Sequence, residues 1–193
     1  MLTGVSIGAY GQDRGPKRAT TSLPQLLSEI LARTAVRRLR ITSLEPHDFD
    51  PALLPFFRDE RVCPHLHLCL QSGSDATLKR MRRRYDTAEY AALAAALRDA
   101  NPALLLTTDV IVGFPGETDE EFAETVAFVE RMGFADLHVF RYSPRAGDEG
   151  GRFPEPGSGP RQKGAERDVD CAGERLAAAA RAAPARPAVP RAL

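Results

Sequence analysis

The sequence has no tryptophan, three cysteines and three methionines, and aromatic residues fill only 7% of its 193 positions. Cys63, Cys69 and Cys171 are an odd, sparse set. With no signal peptide at the start, they argue against a secreted disulfide scaffold, and a reducing cytoplasm is the expected location. No apolar run approaches the roughly 18 residues needed to cross a bilayer, so no membrane partner is expected. Neither sign of charge prevails: 26 basic residues balance 26 acidic ones. A zero net charge removes any global electrostatic case for nucleic acid and leaves that case to local patches.

What is present is an ordinary soluble composition, 43% hydrophobic and 27% charged, on a chain long enough for one domain with its own core. The composition changes near Arg145. Of the 48 residues from Ala146 to Leu193, 32 are Ala, Gly, Pro or Arg. Large apolar residues are scarce there, so this tail cannot bury enough surface to offset the entropy of ordering it. It is expected to be disordered apart from a short helix over Ala172 to Ala183. A small second domain is the alternative, which the missing strands and apolar stripe disfavour.

Residues 1–145 repeat one pattern. Strands are predicted over Leu2–Ile7, Arg38–Thr42, His65–Leu70, Leu104–Val112 and Leu137–Tyr142. Helices are predicted over Leu23–Arg33, Pro51–Phe57, Asp75–Arg83, Thr87–Asn101 and Asp119–Met132. Alternation of β and α predicts an α/β fold, a parallel sheet covered by helices. Each strand ends in a polar or Gly-containing loop, which favours a partial (β/α) barrel with its site at the carboxyl ends of the strands. A doubly wound sheet is the alternative, but no G-x-G-x-x-G follows the first strand.

The stretch from Thr107 to Thr125, TTDVIVGFPGETDEEFAET, concentrates this information. A buried strand breaks at Gly113-Phe114-Pro115-Gly116, and a helix restarts with Thr118 as N-cap and Glu121 completing a capping box. The two glycines let backbone approach a ligand closely, or serve a tight βα turn with Glu117 stabilising the helix start. Gln71 and Ser72 end another strand, where they suit ribose hydroxyls or cap the next helix. Glu45 precedes Pro46 and is either an ammonium receptor or a surface carboxylate. Cys63, His65, His67 and Cys69 are spaced by two and share one face of a strand. Residues four apart on a strand lie ~13 Å apart, so only neighbours such as His65 and His67 could share an ion. A metal-dependent hydrolase built on that pair is the alternative enzyme class, and histidines satisfied by hydrogen bonds are the structural one. Lys79, Arg80, Arg82, Arg83 and Arg84 form a basic run that would attract RNA phosphates or solvate a helix end. Arg141 and Arg145 add positive charge nearby.

Several strand ends taken together carry a family likeness: Thr42-Ser43-Leu44-Glu45-Pro46, His65 to Asp75 (HLHLCLQSGSD), Leu78 to Arg83 (LKRMRR), Thr108 to Thr118 (TDVIVGFPGET) and Tyr142-Ser143-Pro144-Arg145. In this order and spacing the sequence resembles the radical S-adenosylmethionine methylthiotransferases over nearly all of residues 1–145. The SLEP and HVF-x-YSPR wording is most similar to the branch that modifies threonylcarbamoyladenosine in tRNA; branches acting on isopentenyladenosine or on a ribosomal protein are alternatives.

The resemblance implies S-adenosylmethionine held against Glu45, Gln71, Ser72, Gly73, Asp109, Ile111, Gly113, Glu117 and Tyr142. It implies tRNA contacts by Lys79, Arg80, Arg82, Arg83, Arg84 and Arg145, with Arg82 also able to reach a cofactor carboxylate. It further implies [4Fe–4S] clusters, an external electron donor, and methylthio transfer to C2 of a modified adenosine. One departure is large. The family holds its radical-generating cluster with C-x3-C-x2-C, and no two cysteines here are three or four apart. Thiolate ligation of a cubane cluster needs closely grouped cysteines. The chain is therefore expected to be a fragment that opens within the second barrel strand, lacks both cluster sites and the RNA-binding C-terminal domain, and is inactive alone. A noncatalytic remnant is the third class of reading.

Overall fold

The computed structural model describes residues 1–4, 6–11 and 21–143, together with residues 174, 176 and 178. Glu174, Leu176 and Ala178 are helical, and Leu176 is buried. The rest of the expected disordered tail lies outside the described residues, as do Arg145 and Cys171.

The chain divides into two compact units, residues 1–69, 88–107 and 185–193 in the first and residues 70–87 and 108–184 in the second. In the first unit α1, Leu23–Arg33, begins with a reciprocal cap: the Ser22 hydroxyl accepts from Gln25 N–H and the Gln25 amide oxygen accepts from Ser22 N–H. Pro24 in the first turn leaves no donor unmet, and Leu23 and Leu27 face inward. A 3-10 segment, Pro51–Arg58, follows Asp50, whose carboxylate accepts from Ala52 N–H, and buries Leu53 and Phe57.

Parallel contacts then step along the chain: Leu2 with Ile41, Leu39 with Val62, and Leu44 with Leu68. Strand β1, His65–His67, pairs in parallel with the start of β2, Leu105–Val112, placing His65 opposite Leu105 and His67 opposite Thr107. Each segment lies beside the one that precedes it in sequence, which is the order of barrel staves. Helix α3, Thr87–Ala100, covers this unit with Tyr90, Ala94 and Leu97, and the Tyr90 hydroxyl donates to the carbonyl of Leu68.

The second unit carries α2, Asp75–Arg80, α4, Asp119–Met132, and β3, Asp136–Arg141. Gln71 bridges in parallel to Val110, and Tyr142 N–H donates to Val112 at the far end of β2. Helix α4 starts at Thr118 with the expected capping box and ends at Gly133, whose φ of 58° is the left-handed geometry of a helix stop.

Four expected elements are corrected. The strand expected over Leu2–Ile7 is a single bridge at Leu2, and Ile7–Ala9 is a 3-10 turn. The strands expected over Arg38–Thr42 and His65–Leu70 shrink to bridges and to three residues, because Leu39 and Ile41 bond to different neighbours instead of forming one ladder. Helix α2 stops at Arg80 rather than Arg83: Arg82 is left-handed at φ 56°, Arg82 N–H donates to Lys79 and Arg83 N–H donates back to Leu78. That six-to-one bond closes the helix.

Candidate functional site

Burial along β2 alternates without interruption. Leu106, Thr108, Val110 and Val112 are buried, while Leu105, Thr107, Asp109 and Ile111 are half-buried on the opposite side. Period two therefore puts Asp109 and Ile111 on one face of the second unit. Strand β3 adds His138 and Phe140, which is 51% exposed. His138 Nδ1 lies 3.3 Å from the Asp109 carboxylate. Tyr142 meets Phe114 edge-to-face, with ring centroids 5.2 Å apart.

At the end of β2, Gly113 is left-handed, with φ of 73°, and a Cβ added to it would meet nothing within 4 Å. The chain thus leaves open space beside its backbone here. Gly113 N–H is tied to the Glu117 carboxylate at 2.6 Å, so Glu117 shapes the loop from within. Gly116 is also left-handed, with the Arg80 side chain 3.5 Å from where its Cβ would stand.

The loop after β1 divides its residues differently. Gln71 is left-handed, with φ of 69°, a conformation a non-glycine residue adopts only where its surroundings impose it. Its backbone is held by Asp109 and Ile111, while its side-chain amide makes no hydrogen bond among the described residues. Ser72 and Gly73 are both engaged by α4. Ser72 is fully buried, and its hydroxyl is engaged by Thr125 and by Ser74 N–H. A Cβ on Gly73 would lie 2.7 Å from the Cβ of Phe128 and 2.8 Å from the Cα of Thr125. Gly73 is small where it packs against α4.

The basic run is also divided. Lys79, Arg82 and Arg84 are exposed, whereas Arg80 and Arg83 are half-buried. Arg80 is ion-paired with Glu121. Burial alone would raise the Glu121 carboxyl, but donors from Arg80, Thr118 N–H and Thr77 outweigh it and hold it below its ordinary value.

Glu45 belongs to the first unit, half-buried, with its carbonyl accepting from Asp48 N–H. His65 and His67 lie there too, and both reach the Thr107 hydroxyl, at 3.3 and 3.0 Å. Arg40 donates to His65 Nε2 at 3.0 Å, which leaves the proton on Nδ1. Burial, then the Arg40 charge, pushes the His65 pKa down. A guanidinium on the Nε2 of His65 is a poor start for a cation site at that residue.

These residues fit an adenosyl group: open backbone at Gly113, the apolar side of Ile111, the Phe114–Tyr142 aromatic pair and the Gln71 amide, without a hydrogen bond among the described residues. They do not fit a [4Fe–4S] cluster. Cys63 and Cys69 are buried and six positions apart, and Arg38 Nε lies 3.1 Å from the Cys63 sulfur.

Three features escaped the sequence reading: the Arg80–Glu121 pair, the contact of Asp109 with His138, and Thr125. Thr125 had a signal, since it falls seven positions after the Thr118 cap and so on the same side of α4.

Among the described residues no helix is long and apolar enough to cross a membrane. The sequence model of the Radical SAM superfamily matches residues 19–129. The threonylcarbamoyladenosine tRNA methylthiotransferase MtaB of Thermotoga maritima is 41% identical over 168 residues, which are 86% of this chain and 37% of that protein. The tRNA-2-methylthio-N(6)-dimethylallyladenosine synthase of Anaeromyxobacter dehalogenans is 42% identical over 182 residues, 93% of this chain and 37% of that protein. The chain thus spans little more than a third of the length of these relatives. Among solved structures, coproporphyrinogen III oxidase (HemN) from Escherichia coli, described as a radical SAM enzyme, shares the fold. Its TM-score is 0.59 at 19% identity, over 78% of this chain and 36% of that one.

Proposed function

The chain belongs to the radical SAM superfamily, and on that premise we propose that it is the cofactor-holding part of an enzyme that adds a methylthio group to C2 of a modified adenosine in tRNA. The observation that carries this reading is the open, left-handed Gly113 at the carboxyl end of β2, beside half-buried Ile111. Carboxyl-end loops are where ligands sit in sheets of this kind.

The roles of the chain's residues follow from placement. Ile111 and the Phe114–Tyr142 pair offer an apolar seat for adenine, Gly113 admits the ring to the backbone, and the Gln71 amide takes a polar group of the ribose or amino-acid part. Glu117 holds the loop by bonding Gly113 N–H. S-adenosylmethionine, once bound, supplies the adenosyl group such chemistry uses. No step is assigned to an iron–sulfur cluster, because the cysteines present do not form its ligand set.

Titration calorimetry of the 193-residue chain with S-adenosylmethionine tests this. Saturable binding is expected, weakened at least tenfold in Ile111→Glu and in Gly113→Val. Absence of saturable binding, or variants that bind like the parent, overturns it. The chain alone is expected to form no 5′-deoxyadenosine.

The substrate branch proposed is threonylcarbamoyladenosine, from the Ser43-Leu44-Glu45-Pro46 and His138 to Arg145 wording. Relatives named for dimethylallyladenosine are as similar, so the test is a competition between anticodon stem-loops carrying each modification. Lys79, Arg82 and Arg84, being exposed, are the residues proposed to meet phosphate.

A further inference from the structure

Thr125 lies on α4, 1% exposed, with its hydroxyl among three partners. It donates to the carbonyl of Glu121 at 3.1 Å. A hydroxyl has one proton, so toward its other neighbours the oxygen is an acceptor. It receives Gly73 N–H at 3.1 Å, and Ser72, 3.2 Å away, must be the donor of the contact between the two hydroxyls. The Ser72 oxygen in turn accepts from Ser74 N–H at 3.2 Å. Every proton in this chain has a destination, and the network runs from the loop after β1 into the backbone of α4. The lack of room at Gly73 brings the two backbones together.

The residue just before this clamp is Gln71, left-handed and with an amide that makes no hydrogen bond among the described residues. Left-handed geometry at glutamine persists only if neighbours fix it. We propose that Thr125 is a positioning residue for the cofactor site: by fixing Ser72 and Gly73 to α4 it holds Gln71 in the conformation that presents its amide to S-adenosylmethionine. This rests on the cofactor reading above.

The experiment compares Thr125→Val, which keeps the shape and removes the acceptor, with Thr125→Ser, which keeps the hydroxyl. Val129→Ala is the control, since it removes buried volume from the same helix without touching the network. Affinity for S-adenosylmethionine is read by calorimetry, and amide hydrogen exchange at Gly73 and Ser74 is read without ligand. T125V should bind about tenfold more weakly, the scale of losing one or two buried hydrogen bonds. T125S and V129A should bind like the parent, and exchange at Gly73 and Ser74 should rise in T125V alone. Unchanged affinity in T125V, or an equal loss in V129A, overturns the proposal. If the parent chain binds no S-adenosylmethionine, the cofactor reading fails and exchange alone decides the clamp. Faster exchange in T125V with T125S unaffected upholds it, and unchanged exchange overturns it.

Discussion

Arg80, in the last turn of α2, is ion-paired with Glu121, in the first turn of α4, and the same carboxylate oxygen also receives the Thr77 hydroxyl and Thr118 N–H. One oxygen thus closes a helix cap and joins two helices. Glu121→Ala removes the acceptor and leaves Arg80 half-buried without its partner. A loss of about 2 kcal/mol in urea unfolding is expected. Glu120→Ala, at an exposed neighbour, should unfold at the same urea concentration as the parent.

Glu121 is held below its ordinary 4.5 in the folded chain. Its contribution is therefore complete above about pH 4.5 and lost as the pH falls through the lower folded value. Glu121→Gln should flatten that part of the stability curve and leave neutral pH the steeper loss.

His65 moves in the same direction from 6.5, with a different consequence, because partial burial and the Arg40 charge disfavour the protonated ring. The folded state binds fewer protons than the unfolded one, so stability is full above about pH 6.5 and declines as the pH falls below it. His65→Gln should remove this decline. An unchanged slope of the unfolding midpoint against pH would show that another group titrates.

Gly73 and Gly113 separate two reasons for glycine. Gly73→Ala should cost about 1–3 kcal/mol by overpacking against Phe128 and Thr125. Gly113→Ala has space and meets only the left-handed backbone, so about 1 kcal/mol is expected. Thermal unfolding of the two variants should rank them in that order.

Arg82 and Arg80 should part in RNA binding. Arg82→Ala removes an exposed charge, so the slope of log affinity against log salt should shrink by about 0.9 for duplex contacts. Arg80→Ala should act chiefly on stability, through Glu121.

Local signals explain what was legible. Helix α4 was read residue for residue because its cap and its capping partner are side chains that announce themselves. The end of α2 was not, because the left-handed position is filled by arginine rather than by glycine or asparagine. The break of β2 at Gly113 was legible from the Gly113-Phe114-Pro115-Gly116 run. The packing of Ser72 and Gly73 was not legible, because their partners sit on α4, more than fifty positions away in sequence. No pattern near them shows that a threonine hydroxyl and a phenylalanine will claim their space. The first strand was overextended because apolar alternation cannot tell a ladder from a single bridge.

The alternation along β2 divides its eight positions by parity. Substitutions scanned through residues 108–112, the part of β2 in the second unit, should sort into two sets, one eliminated as unfolded and one retained as folded protein with altered ligand preference. A strand of this kind can diverge in chemistry on its odd-numbered side while its even-numbered side is inherited unchanged, so drift in specificity need not pass through a destabilised ancestor.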